Sequence, residues 1–171
     1  MRTRQTITVI GKEAKLVSPL VKGLADGNYR LLLCTKSPAE SAGLLATLPA
    51  KTKKELELMD CSFDGCWEAD IIITAIAPGE ESGLAEKIRV VANQKLLISL
   101  TEGLSEAELE RSYESFSRHF PYSRLVQVFQ PSEGAGWRIR ASKPEFLEMA
   151  AEVFRDAGIA IEQDSELRAA V

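Results

Sequence analysis

The sequence predicts an α/β protein in three layers: a doubly wound, mainly parallel sheet with helices on both faces and a C-terminal strand, helix and strand as an extension. Three observations predict it. Apolar runs of strand length alternate with amphipathic segments of helix length along the chain, the pattern of successive βαβ units. Several runs are continuous, as in Ile71-Ile72-Ile73 and Leu96-Leu97-Ile98, and a strand apolar on both sides is one covered on both sides. Helix starts are marked by serine, followed at two of them by proline.

The first strand spans residues 6–10 and runs into Gly11. A helix over 19–25 follows, with Ser18 as cap, Pro19 at the first helical position and Gly27 as stop. The second strand, 29–34, leads through Thr35 and Lys36 to a helix over 38–48, where Ser37 and Glu40 have the spacing of a reciprocal capping box. The third strand is placed at 55–59, and Cys61 and Cys66 then flank a short helix or turn. The fourth strand, 70–76, passes into Ala77-Pro78 and a helix over 80–92. A fifth strand at 95–101, a helix over 106–117 with a second capping box from Ser105 to Glu108, and a sixth strand at 125–129 complete the main sheet. Trp137-Arg138-Ile139-Arg140-Ala141 alternates with period two as a further strand. A helix over 144–157, stopped by Gly158, and a strand at 159–161 close the extension.

The chain's 171 residues suit one domain with a full core, and no repeat or low-complexity segment divides it. A formal charge of −4 without a long basic run argues against a nucleic-acid partner. The opening Met1-Arg2-Thr3-Arg4-Gln5 leads into too few apolar residues for a leader or a membrane span, so a cytoplasmic protein without membrane contact is expected. Three cysteines without paired spacing, and one histidine, predict reduced thiols and no metal site. His119, at the expected end of a helix, complements the carbonyl pole there, and no nucleophile and carboxylate can be assigned to it.

A strand followed by glycine and a helix is where a dinucleotide's pyrophosphate sits, on a loop with glycines at its first, third and sixth positions. Here Gly11 fills the first position, but Glu13 stands at the third and Leu16, or Val17 in a longer loop, at the sixth. A carboxylate repels two phosphates where bare backbone N–H groups attract them, and Lys12 and Lys15 offset part of that charge. The loop therefore fits altered phosphate binding and an ordinary strand-to-helix turn equally. At the tip of the second strand, Cys34-Thr35-Lys36-Ser37 has one lysine and no carboxylate, which favours NADP over NAD. The competing reading is a solvated loop in which Ser37 only caps the next helix.

The run from Ala69 to Pro78, an Ala-Asp, an apolar strand and an Ala-Ile-Ala-Pro end, resembles the fourth strand of the N-terminal domains of pyrroline-5-carboxylate reductases and deazaflavin-dependent NADP oxidoreductases. Ile98 to Ser105 is similar to the reductase fifth strand and its turn into a helix, and Lys22-Gly23-Leu24 to the end of the family's first helix. The resemblance implies a Rossmann-like NAD(P)-binding domain over the whole chain, with Gly11, Lys12, Thr35, Lys36, Ser37, Ala75, Ile76, Ala77 and Pro78 against the cofactor and no nameable catalytic residue. It also implies a homodimer or a partner domain, and the strand near Trp137 offers an edge for pairing.

Departures from the family are as informative. The family's Pro-Asn-Thr-Pro segment near the nicotinamide is replaced by Phe129-Gln130-Pro131-Ser132-Glu133-Gly134, and a helical region that builds the reductase substrate pocket is absent from these residues. Two functions follow: an NADP-dependent oxidoreductase-type domain of unknown substrate, or a non-catalytic Rossmann-like module with a degenerate phosphate loop that serves assembly or ligand sensing.

Overall fold

A computed structural model describes residues 3–132 and 136–164. Its sheet is built from β1 (Gln5–Gly11), β2 (Tyr29–Cys34), β3 (Leu56–Met59), β4 (Ile71–Ala75), β5 (Leu96–Leu104), β6 (Arg124–Pro131), β7 (Trp137–Ala141) and β8 (Ile161–Gln163). The spatial order is β3-β2-β1-β4-β5-β6-β7-β8, parallel except where β7 runs against β6. Order reverses between β1 and β4, so the C-terminal ends of these strands flank the crevice where open α/β sheets bind ligands.

Helices α1 (Val17–Ala25), α2 (Pro38–Ala46) and α7 (Pro144–Asp156) pack on one face, and α4 (Ser62–Glu68), α5 (Glu81–Ile88) and α6 (Glu106–His119) on the other. Every residue of β4 is buried, as a strand covered on both faces must be. On the first face α1 buries Val17, Leu20, Val21 and Leu24, a gross gain of about 6–12 kcal/mol before entropy is counted. Gly23 lets α1 and α7 approach closely: a Cβ there would lie 2.1 Å from the Ala157 carbonyl oxygen.

The second face is less apolar. Thr74, Ser99, Gln127 and Arg140 stand in register across β4, β5, β6 and β7, all buried. Arg140 donates from Nε to Gln127 and from Nη1 to Glu106, each at 2.7 Å, and lies over the Phe129 ring. Gln127 in turn donates to the Leu109 carbonyl of α6 at 3.2 Å. The period-two pattern of β7 implies a solvated polar side, yet Arg140 is enclosed because β6 and β8 flank it and the start of α6 covers it.

Several predicted boundaries move for identifiable reasons. Helix α1 begins at Val17 with Leu16 as an uncapped N-cap, and Ser18 instead pairs its hydroxyl with that of Thr47. Pro19 falls at the third helical position, where its missing N–H is still tolerated. Gly27 follows α1 but keeps a negative φ, whereas Gly158 adopts φ +73°. The Gly158 and Ile159 amides donate back to the Arg155 and Phe154 carbonyls in a Schellman closure, so Ile159 belongs to the helix end and β8 starts at Ile161. Ser105 and Glu108 form the full capping box; Ser37 accepts the Glu40 amide, which is half of one. A short helix, α3 (Ala50–Lys54), lies before β3 where none was expected. Because β8 pairs with β7, the Trp137 strand is not an edge, and the outer strands of the described sheet are β3 and β8.

Candidate functional site

The sheet places one cleft at its switch point. About 440 Å³ in volume, it lies over the C-terminal ends of β1, β2, β3 and β4, between the starts of α4 and α5. Gly11, Thr35, Lys36 and Ile76 of the predicted set line it. They meet because each ends or follows a neighbouring parallel strand.

Gly11 has φ +86°, and a Cβ on it would stand 2.3 Å from the Ala75 carbonyl oxygen. That approach lets the Glu13 amide donate to the same oxygen at 2.9 Å. Ala14 and Leu16 are buried, so the loop turns inward, and the Val17 amide is spent on the Ala14 carbonyl at 3.1 Å. With Pro19 lacking an N–H, three positions of this loop and helix start, Glu13, Val17 and Pro19, offer no free backbone donor to a phosphate. Gly11 is thus required by the chain's own packing.

The other walls are better formed. Thr35 directs its hydroxyl to the Ser37 carbonyl and to Ser41, while the Ser37 hydroxyl caps α2. Ser37 caps α2, and neither it nor Lys12, Ala75, Ala77 or Pro78 is among the residues that line the cleft. Ala75 is fully buried beneath Gly11, and Ala77 accepts the Glu80 amide at 3.1 Å to close a Pro78-Gly79 turn. Gly79 has φ +92°, the left-handed conformation that glycine supplies in such turns. The buried Glu81 secures it, accepting the Gly79 amide at 2.9 Å.

The turn carries Glu80 to the cleft, where its carboxylate meets the Lys36 ammonium at 2.5 Å. That hydrogen bond is the main cause that holds the Lys36 ammonium above its ordinary range, and the charges of Glu80, Glu40 and Glu13 add to it. Ile10 and Cys34 also line the cleft, as do Met59, Asp60, Ser62, Gly83, Leu84 and Lys87. None of the latter group had a sequence motif; the one available signal was that β3, beside β2, must end at the same rim. Burial pushes the Cys34 thiol at the cleft floor up to about 12, so it is no nucleophile at neutral pH. Among the described residues no group of three or more His, Cys, Asp or Glu side chains is placed to hold a metal, and no helix is long and apolar enough to cross a membrane. The lining thus sets polar Thr35, Lys36, Asp60, Ser62, Glu80 and Lys87 beside apolar Ile10, Met59, Ile76 and Leu84, the mixture that ligand pockets carry.

Solved structures share this architecture. The fold is Rossmann-like. An imine reductase from Myxococcus stipitatus in complex with NADP+ superposes with a TM-score of 0.68 at 20% identity, over 93% of this chain and 54% of that one. Its V8 variant in complex with NAD+ gives 0.69 at 20% identity, over 94% and 55%. A pyrroline-5-carboxylate reductase from Coxiella burnetii gives 0.67 at 18%, over 96% and 60%. The chain thus spans little more than half the length of these enzymes. No protein-family model matches the sequence, and no curated protein does.

Proposed function

We propose that this chain is a nicotinamide-dinucleotide-binding domain of oxidoreductase type, holding the adenosine end of the cofactor in the cleft between Thr35, Met59, Ile76 and Gly83. The observation that carries the reading is the coincidence of that cleft with the β1/β4 switch point. The structural likeness to imine reductases in complex with NADP+ and NAD+ supports it. In such a domain the bound nicotinamide supplies hydride chemistry, and this chain's residues bind and orient. Residues that contact a substrate would come from a partner domain or a second copy of the chain.

Lys36 bears on the choice between NADP and NAD through its pairing with Glu80. As a lone cation at the ribose end it favours NADP; tied to Glu80 it is no longer free to do so. A second reading, a non-catalytic module for assembly or ligand sensing, is favoured by the spent amides of Glu13 and Val17.

Calorimetric titration with NAD+ and NADP+ tests the reading. Saturable one-to-one binding is expected, and at a hundredfold excess over Kd the domain gains about 2.7 kcal/mol. For this size that raises the melting temperature by roughly 5–11 °C. No heat and no thermal shift with either dinucleotide at millimolar concentration would overturn it. Binding without hydride transfer to any carbonyl or imine acceptor selects the non-catalytic module.

A further inference from the structure

We propose that Glu80, and not a residue of the β2 tip, sets nucleotide preference in this cleft, accepting a hydrogen bond from a free ribose 2′-hydroxyl and rejecting a 2′-phosphate. The inference rests on the dinucleotide reading above. In folds of this kind the acceptor for that hydroxyl is usually an acidic residue at the end of the second strand. Here that place is taken by Thr35 and Lys36, and the carboxylate arrives from the opposite wall, 44 positions later.

The support beneath Glu80 is rigid. Its amide is bonded to the Ala77 carbonyl, Gly79 turns the chain with a positive φ, and Glu81 clamps the Gly79 amide. The carboxylate is therefore presented at the rim by a fixed turn rather than by a flexible loop. Its side chain keeps 35% of its exposure, so a ligand hydroxyl can reach it without displacing packed atoms.

Charge decides which ribose is accepted. An exposed ion pair such as Lys36–Glu80 is weak, and a phosphate could break it. The carboxylates gathered on Lys36 are harder to overcome: Glu80, Glu40 and Glu13 all act on it, while elsewhere in the lining Asp60 is offset by Lys87. A dianionic 2′-phosphate taking Lys36 would leave Glu80 unpaired beside it and sit among the other carboxylates. A neutral hydroxyl meets no such repulsion and finds in Glu80 an acceptor with spare lone pairs, since Lys36 engages only one of its oxygens.

The test is a calorimetric comparison of NAD+ and NADP+ on the wild-type chain, on Glu80→Gln, and on Glu80→Gln combined with Lys36→Met, each with its melting curve recorded as a check on folding. The wild type is expected to bind NAD+ at least tenfold more tightly than NADP+. Glu80→Gln is expected to shift that ratio at least tenfold toward NADP+, chiefly by tightening NADP+, and adding Lys36→Met should abolish the gain. A wild-type preference for NADP+, or a Glu80→Gln change that moves both ligands alike, would overturn the role of Glu80 and leave the binding reading intact. If neither dinucleotide binds any of the three proteins, the binding reading falls and this inference falls with it.

Discussion

Replacing Gly11 by alanine separates backbone strain from steric overlap. Its φ of +86° costs an L side chain about 1–2 kcal/mol. The added Cβ would also stand 2.3 Å from the Ala75 carbonyl oxygen, an atom of the buried strand β4 that cannot swing aside like a side-chain tip. Relief requires prising β1 from β4 and lengthening the Glu13 amide bond to that same oxygen, costing about 1–3 kcal/mol for overpacking and about 1 kcal/mol for the hydrogen bond. The total is about 3–6 kcal/mol. Gly79 is the internal control, with φ +92° but nothing within 4 Å of its would-be Cβ, so Gly79→Ala carries only the strain of about 1–2 kcal/mol. Urea unfolding of both variants measures the difference directly, and at about 2–4 °C per kcal/mol melting curves should separate them visibly. If the two variants fall within about 1 kcal/mol of each other, the overlap argument at Gly11 is wrong.

Other perturbations follow from the packing. Gly23→Ala places a Cβ 2.1 Å from the Ala157 oxygen and should cost about 2–3 kcal/mol by separating α1 from α7; a variant of unchanged stability would show that these helices slide freely. Arg140→Met removes the bonds to Gln127 and Glu106 and should lower the urea-derived stability by about 2–3 kcal/mol, with a rise in stability as the contradicting result. The Cys34 and Cys66 thiols are raised by burial from 9.0 to about 12, so between those pH values the unfolded chain has lost protons that the folded chain keeps. Stability is therefore full below pH 9 and falls as pH rises, by up to about 1.4 kcal/mol per pH unit for each thiol. Urea midpoints from pH 8 upward should decline for the wild type and decline less steeply for Cys66→Ala.

The sheet was legible because burial on both faces writes itself as unbroken apolar runs, and β1, β2, β4 and β5 begin within a residue of their predicted starts. Helix α3 was not, since Ala50–Lys54 is five residues of mostly lysine with only Thr52 turned inward. The start of α1 was misplaced because a Ser-Pro pair resembles a cap, while the inward-turning Leu16 and Val17 had already begun the helix. At the site, Gly11, Thr35, Lys36 and Ile76 were accessible from sequence as strand ends of one motif. Ser37, Ala77 and Pro78 lie in the same loops and Ala75 ends β4, where they form a helix cap, a turn and part of the buried strand. The Lys36–Glu80 pair joins two loops distant in sequence, and no local pattern announces it.

Amide NMR spectra recorded during titration with NAD+ test most directly whether the switch-point cleft is a dinucleotide site. Saturable shifts are predicted at Thr35, Lys36, Asp60, Ile76 and Gly83, which the fold gathers around one cleft. Unmoved amides at these five positions at millimolar NAD+, or shifts confined to the opposite rim around Gln5, Tyr29 and Glu152, would contradict it.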